Sequence, residues 1–396
     1  MVPPPARGDL LRAVRTDPSE GRCLRCVGAP RPPTSAADGG GSGACTTCSP
    51  ASRTRARTTP APRSPRPDSA TVKEDGGAVG DRPAHKPMSI VEATRTGWGY
   101  APGDVVGPGL RAWARLGGGR RCETWLVWST AWWMPVVMKV ARRELVEDPL
   151  TRADLAHEAQ VTAGLAHPGV QRLYAAAVHA DPPHLLFEYV EGPTLETSLT
   201  EAGPLEPVEV LLLGMQLAGT LRYLHGRGVV HLDVKPSNVC LRDGRPVLID
   251  FGIARPAGTL RRSGAPRGST PFMAPEQCRD AVAVPASDLF ALGTLLFEAA
   301  TGEHAFHPRR DGDGWWYPQL DGAGPGRLPG PLGDVVAALL DPEPSRRPAD
   351  ATAVLRSLAA ALPPGVPGLW PDWLDSADIE PPPGLPSNGY GAHSAH

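Results

Sequence analysis

The sequence predicts an α+β fold in two lobes, a small antiparallel sheet with one main helix followed by a larger, mostly α-helical lobe. Three observations carry this. Residues 110–140 alternate apolar and polar side chains with Trp and Val prominent, the period of half-buried strands. Residues 206–225 and 287–301 are long apolar stretches of helical length. Residues 1–97 contain no Phe, Tyr or Trp, so folded sequence starts after them.

In chain order, residues 1–87 hold 14 Pro and 14 Lys and Arg against 8 Asp and Glu, whereas the remainder holds 26 basic and 34 acidic residues. Such a stretch cannot bury enough surface to offset its ordering entropy, and residues 1–97 are expected to be disordered. Composition changes near Met88, and translation beginning there is an alternative that would make the tail an artefact. Cys23, Cys26, Cys45 and Cys48 are spaced C-x2-C-x18-C-x2-C, which fits a four-thiolate zinc site. Spacing is its only support, because the intervening VGAPRPPTSAADGGGSGA has no strand or helix pattern to shape the site. The balance is against zinc.

After the sheet, Leu155, Ala159, Thr162, Ala163 and Ala166 recur at helical spacing within 151–166, before His167-Pro168. Residues 184–190 read as a buried strand, and 331–340 and 348–362 as amphipathic helices. Residues 363–396 are again rich in Pro and Gly and are expected to be mostly extended. Two lobes imply a cleft, a common place for a ligand. The formal net charge of −2 argues against a general nucleic-acid binder. No apolar run reaches the roughly 18–20 residues of a membrane span, and the N-terminus lacks a signal-peptide core. A cytoplasmic protein without membrane insertion is expected. Oligomeric state is left open.

Only four of the 40 basic residues are Lys, and only two Asn occur. Against that bias, Lys139, Lys235 and Asn238 fall within the motifs that carry chemistry. Residues 231–239 read H-L-D-V-K-P-S-N-V and 249–252 read I-D-F-G. Beyond them lie G-S-T-P-F-M-A-P-E at 268–276, S-D-L-F-A-L-G at 287–293 and S-R-R-P-A at 345–349. Upstream are L-G-G-G at 116–119, V-V-M-K-V at 136–140 and H-E-A-Q-V-T-A-G-L-A-H-P at 157–168. Their order and spacing over residues 108–362 resembles the eukaryotic-like (Hanks-type) serine/threonine protein kinases of bacteria. The resemblance implies the two-lobed protein kinase fold, with an N-lobe over 108–190, a C-lobe over 191–362 and a tail over 363–396.

It also implies roles. Phosphoryl transfer requires the triphosphate to be held, its charge neutralised and a hydroxyl aligned in line with it. Asp233 would accept the substrate hydroxyl proton. Asn238 and Asp250 would hold Mg²⁺, with Mn²⁺ an alternative, through hard oxygen ligands. Lys139, paired with Glu158, would position the α- and β-phosphates of ATP. Lys235 would contact the γ-phosphate and marks Ser/Thr as the acceptor in protein substrates, with autophosphorylation and a role in intracellular signalling implied. Gly117 and Gly119 would cradle the phosphates. Phe187 would guard the adenine pocket, and the backbone of Glu188 and Val190 would meet the adenine edge. Ser269 would brace Asp233 and Lys235, Glu276 would pair with Arg347, and Asp288 would hold the catalytic-loop backbone.

The chain departs from the family in two places. Cys122 and Thr124 replace the third glycine and the valine of the phosphate loop, and a small residue filling a glycine place is favoured over a redox switch. Leu232 replaces the Arg that normally anchors a phosphorylated activation loop. Thr259 and Ser263 are the candidate phosphorylation sites there, with Arg261 and Arg262 beside them. Two other readings stay open: a pseudokinase-like binding scaffold, and, more distantly, a small-molecule kinase. A scaffold has typically lost one of Lys139, Glu158, Asp233, Asn238 and Asp250, and all five are present.

Overall fold

The computed structural model describes residues 97–259, 268–279, 281–311, 314–322 and 324–366. The four-cysteine spacing, Arg261, Arg262, Ser263 and residues 367–396 lie outside them.

The first lobe is a six-stranded antiparallel sheet in the order β1-β2-β3-β4-β6-β5. Its strands are β1 (Val105–Gly107), β2 (Leu110–Gly118), β3 (Cys122–Ser129), β4 (Met134–Ala141), β5 (Leu173–Ala177) and β6 (His184–Glu188). Alternation sorts the side chains onto two faces. Trp125, Val127, Val136, Met138 and Val140 pack together on one face. Val137, Leu185 and Phe187 pack on the other with Leu155 of α1 (Pro149–Thr162). Lys139 shares the parity of Val137 on β4 and so lies on the helix side. Helix α1 starts where Asp148 accepts the Thr151 N–H at 2.9 Å and Pro149 fills the first turn. It ends at Thr162, four residues before the end of the periodic stretch. The Thr162 hydroxyl donates back to the Glu158 carbonyl at 2.7 Å, and the chain turns through Gly164.

Residues 97–101 lie over the opposite face. The Trp98 indole stacks on Tyr100 with centroids 5.4 Å apart and donates to the Ala141 carbonyl at 2.8 Å. Tyr100 meets Trp125 edge to face at 5.2 Å. Burial, with Glu123 nearby, pushes the Tyr100 phenol up to about 12.

The second lobe is built around helices α2 (Leu195–Ala202), α3 (Pro207–Gly226), α4 (Pro275–Cys278), α5 (Pro285–Thr301), α6 (Gly330–Leu339) and α7 (Ala351–Ala360). Helix α3 begins with Pro207 after a capping box between Glu206 and Glu209. Leu213, Leu217, Leu221 and Leu224 give it a fully buried stripe. Helix α5 is buried on nearly every side, and Gly293 is what lets α6 approach, since a Cβ there would stand 2.7 Å from Leu339 Cβ. Between α3 and α4 the chain forms the strand β7 (Val229–Val230), the hairpin β8 (Val239–Arg242) and β9 (Arg245–Leu248), and β10 (Arg255–Pro256), which pairs with β7. A further hairpin, β11 (Arg309–Asp311) with β12 (Gly314–Trp316), follows α5. Among the described residues no helix is long and apolar enough to cross a membrane.

Candidate active site

Two groups of polar side chains converge between the lobes. The first spans them. Leu155 seats α1 on the sheet, and Glu158, one turn on, lies 2.7 Å from the Lys139 ammonium. The same ammonium lies 2.7 Å from Asp250 Oδ1. Burial disfavours charge on Lys139, but Asp250 and Glu158 beside it outweigh this and hold its pKa above the usual range. Lys139 in turn holds the Asp250 carboxyl well below the usual carboxylate range. Burial pushes Glu158 up, with Lys139 opposing. Asp250 sits at a φ of 61°, in the left-handed region that non-glycine residues rarely adopt. Gly252 leaves room behind it, since a Cβ there would stand 3.0 Å from the Lys139 Nζ and 3.2 Å from Asp250 Oδ1 and would press on their bridge.

The second group surrounds Asp233. Asn238 Nδ2 donates to Asp233 Oδ2 at 2.9 Å, Lys235 Nζ lies 2.8 Å from the same oxygen, and the Ser269 N–H donates to Oδ1 at 2.9 Å. Lys235 also donates to the Ser269 hydroxyl at 2.5 Å. The sequence places these groups because Pro236–Asn238 forms a 3₁₀ turn that folds Asn238 back over Asp233. The loop is held from below by Asp288 of α5, whose carboxylate accepts the N–H groups of His231 at 2.9 Å and Leu232 at 2.7 Å. The Ile249 N–H bonds the Asn238 carbonyl at 2.9 Å, tying the two groups together.

The glycine segment is the β2–β3 hairpin, closed by the Gly119 N–H on the Cys122 carbonyl at 2.8 Å. Cross-strand register aligns Gly117 with Thr124 and Thr124 with Lys139. A Cβ on Gly117 or Gly119 would meet no protein atom, so both positions face open space. Arg142 Nε grips the Gly119 carbonyl at 2.8 Å, and Arg121 is paired with Asp148 at 2.5 Å. Burial pushes the Cys122 thiol up to about 11, against the pull of Lys139, which keeps it protonated and unreactive.

At the junction of the lobes, Phe187 is buried against α1, and Val190 packs with Cys240, Val247 and Ile249 in a small apolar cluster. The Glu188 side chain pairs with Arg242 at 2.7 Å, while its carbonyl accepts from Gln171 Nε2 at 2.8 Å. Sequence reasoning missed Gln171 and Cys240, for neither lies at a motif position. On the floor of the C-lobe, Arg347 forks onto Glu276 at 2.7 and 2.9 Å.

As for metal, Asp250 and the Asn238 amide are hard oxygen donors of the kind that suits Mg²⁺ or Mn²⁺, which typically take one or two protein ligands and complete their shell with phosphates and water. The residues therefore fit a divalent cation bound together with a nucleotide. Among the described residues no group of three or more His, Cys, Asp or Glu could hold a metal ion.

A sheet lobe and a helical lobe, with a Lys–Glu–Asp bridge between them and a braced Asp in the loop below, define a nucleotide-dependent phosphotransferase fold. The family model described as the protein kinase domain matches residues 111–357, and the chain belongs to that family. It is similar to a protein named probable serine/threonine-protein kinase PkwA from Thermomonospora curvata, 36% identical over 256 residues that cover 63% of this chain and 34% of that protein. It is also similar to serine/threonine-protein kinase AfsK of Streptomyces griseus, 38% identical over 51% of this chain and 25% of the relative. Serine/threonine-protein kinase PrkC of Bacillus subtilis is 32% identical over 48% of this chain and 30% of its own length. The matched region thus spans about a third or less of these relatives.

Proposed function

We propose that this chain is a serine/threonine protein kinase that transfers the γ-phosphoryl group of ATP to Ser and Thr hydroxyls of protein substrates, itself included, in intracellular signalling. The observation that carries this reading is the three-donor hold on Asp233. A carboxylate offers about four lone-pair sites, and Asn238, Lys235 and Ser269 occupy three of them. The remaining site accepts the substrate hydroxyl, orienting its oxygen toward the phosphorus and taking its proton as the bond forms. Lys235, already beside that oxygen, follows the negative charge on the transferred group. Lys139, kept charged by Glu158 and Asp250, engages the α- and β-phosphates. Asp250 and Asn238 are the residues that would hold a Mg²⁺ or Mn²⁺ ion, which when bound would supply neutralising charge to the phosphates. Gly117 and Gly119 bring backbone close to the phosphates, and the segment from Phe187 to Val190 receives the adenine. A cytoplasmic activity is part of this reading, supported by ATP being an intracellular donor.

The test is transfer of labelled phosphate from ATP to a generic acceptor protein, followed by phosphoamino-acid analysis. Label on Ser and Thr with none on Tyr supports the proposal. No transfer by folded, metal-supplied protein overturns it.

A further inference from the structure

Gln171 is a buried polar residue, 8% exposed, at the junction of the lobes. Its backbone N–H donates to the Leu248 carbonyl at 3.0 Å, two residues before Asp250. Its side-chain Nε2 donates to the Glu188 carbonyl at 2.8 Å. The Glu188 N–H, on the same side of the strand, is taken by the Arg172 carbonyl at 2.8 Å. The Glu188 backbone is proposed to meet the adenine edge; its carbonyl is an acceptor and so the group that would face a 6-amino donor, and the role of Gln171 rests on that reading. We propose that Gln171 is a specificity-determining residue: by keeping the Glu188 carbonyl hydrogen-bonded from within the chain, it frees nucleotide binding from dependence on the 6-amino group of the base.

The physical reason is an asymmetry of hydrogen bonding. A site rejects a ligand lacking a polar group chiefly because its own buried partner is then left unpaired. With an apolar side chain at position 171, a base without a 6-amino group would strand the Glu188 carbonyl away from water. With Gln171 present, that carbonyl keeps its bond whichever base is bound. A 6-amino group can still take the second lone pair of the oxygen, but a base without it then leaves no group unpaired, so the preference for ATP shrinks to the small net worth of one hydrogen bond. Burial supports the geometry, since Gln171 lies beside the buried Val170 at the approach to β5, where a polar side chain needs a partner to be tolerated.

The experiment measures dissociation constants, with Mg²⁺ present, for ATP and for purine riboside 5′-triphosphate, which lacks the 6-amino group. Wild type is compared with Gln171→Leu and with Gln171→Met, the latter preserving side-chain length should the branched residue pack poorly. Wild type is expected to bind the two nucleotides within about threefold of each other, and the variants to favour ATP by about tenfold or more. An equal ratio in wild type and in both variants overturns the role of Gln171 while leaving the cleft a nucleotide site. Strong preference for ATP in wild type does the same. Failure of wild type to bind either nucleotide overturns the reading of the cleft and this inference with it.

Discussion

Asp288 holds Leu232 by its backbone N–H at 2.7 Å while Leu232 sits at a φ of 66°. A left-handed non-glycine residue persists only where its surroundings over-determine it. Here the fully buried Asp288 carboxylate also accepts the His231 N–H at 2.9 Å and bonds the His225 ring at 2.9 Å. Helix α5 thereby sets the shape of the loop that carries Asp233.

Asp288→Ala leaves two buried N–H groups unpaired and releases the loop. The variant is expected to lose about 2–4 kcal/mol of stability and most of its transferase activity. Urea denaturation and an assay at permissive temperature check both. Retention of full activity would show that the loop keeps its shape by other means.

Leu232 packs in an apolar cluster with Val230, Ala283 and Ile253. This replaces the electrostatic anchor that an Arg gives a loop phosphate. Activity is therefore expected to depend weakly on phosphorylation. Phosphatase treatment, or Thr259→Ala with Ser263→Ala, keeps it within about tenfold, or roughly 1.4 kcal/mol. Restoring the charge with Leu232→Arg buries a guanidinium in hydrocarbon and is expected to destabilise by about 3 kcal/mol or more. A hundredfold loss on dephosphorylation would show that another basic residue receives the phosphate.

His231 is fully buried, lies edge-on to Phe251 at 4.7 Å and accepts the Asp233 N–H at Nδ1 over 3.3 Å. Burial holds its pKa below the usual value. Below about pH 6.5 the unfolded chain binds a proton that the folded chain excludes, so stability falls as pH drops from there toward the lowered folded pKa. The slope contributed is up to about 1.4 kcal/mol per pH unit. His231→Phe flattens the fall in unfolding free energy between pH 6.5 and 5.5. An unchanged slope in the variant would assign the proton elsewhere.

The Arg347 side chain is 0% exposed and Glu276 10%, and Ser287 also donates to Glu276 at 2.7 Å. Removing one partner strands the other, so Arg347→Ala is expected to cost about 3–5 kcal/mol. Replacing both partners with Met and Leu is expected to cost markedly less than the two single changes added together. Additive losses would mean that each side chain acts through separate contacts.

Much of the site is legible in the sequence because its chemistry is local there. Asp233, Lys235 and Asn238 share one loop, and Lys139 with Glu158 sits on consecutive elements whose periods fix which faces meet. The expected bonds of Ser269, Glu276 and Asp288 are all made. Less legible are contacts in which a side chain binds a backbone group, because they leave no period. Gln171 on the Glu188 carbonyl is one, and Trp98 on the Ala141 carbonyl another. Periodicity misplaces the end of α1 for a related reason. The apolar pattern runs on to Ala166, but the bond from Thr162 to Glu158 and the turn at Gly164 close the helix earlier. The β11–β12 pair joins R-R-D to G-W-W, and three-residue strands are too short to show alternation.

The proposed role of Asp233, orienting and deprotonating the attacking hydroxyl, is put to the test by Asp233→Asn. The amide keeps the shape of the side chain but loses the carboxylate's charge and proton affinity. Steady-state rates with an acceptor protein should be read beside direct ATP binding. A fall in kcat of about 10²–10⁴ is expected, with the ATP dissociation constant within about threefold of wild type. A folded Asp233→Asn enzyme whose kcat stays within tenfold of wild type would contradict it.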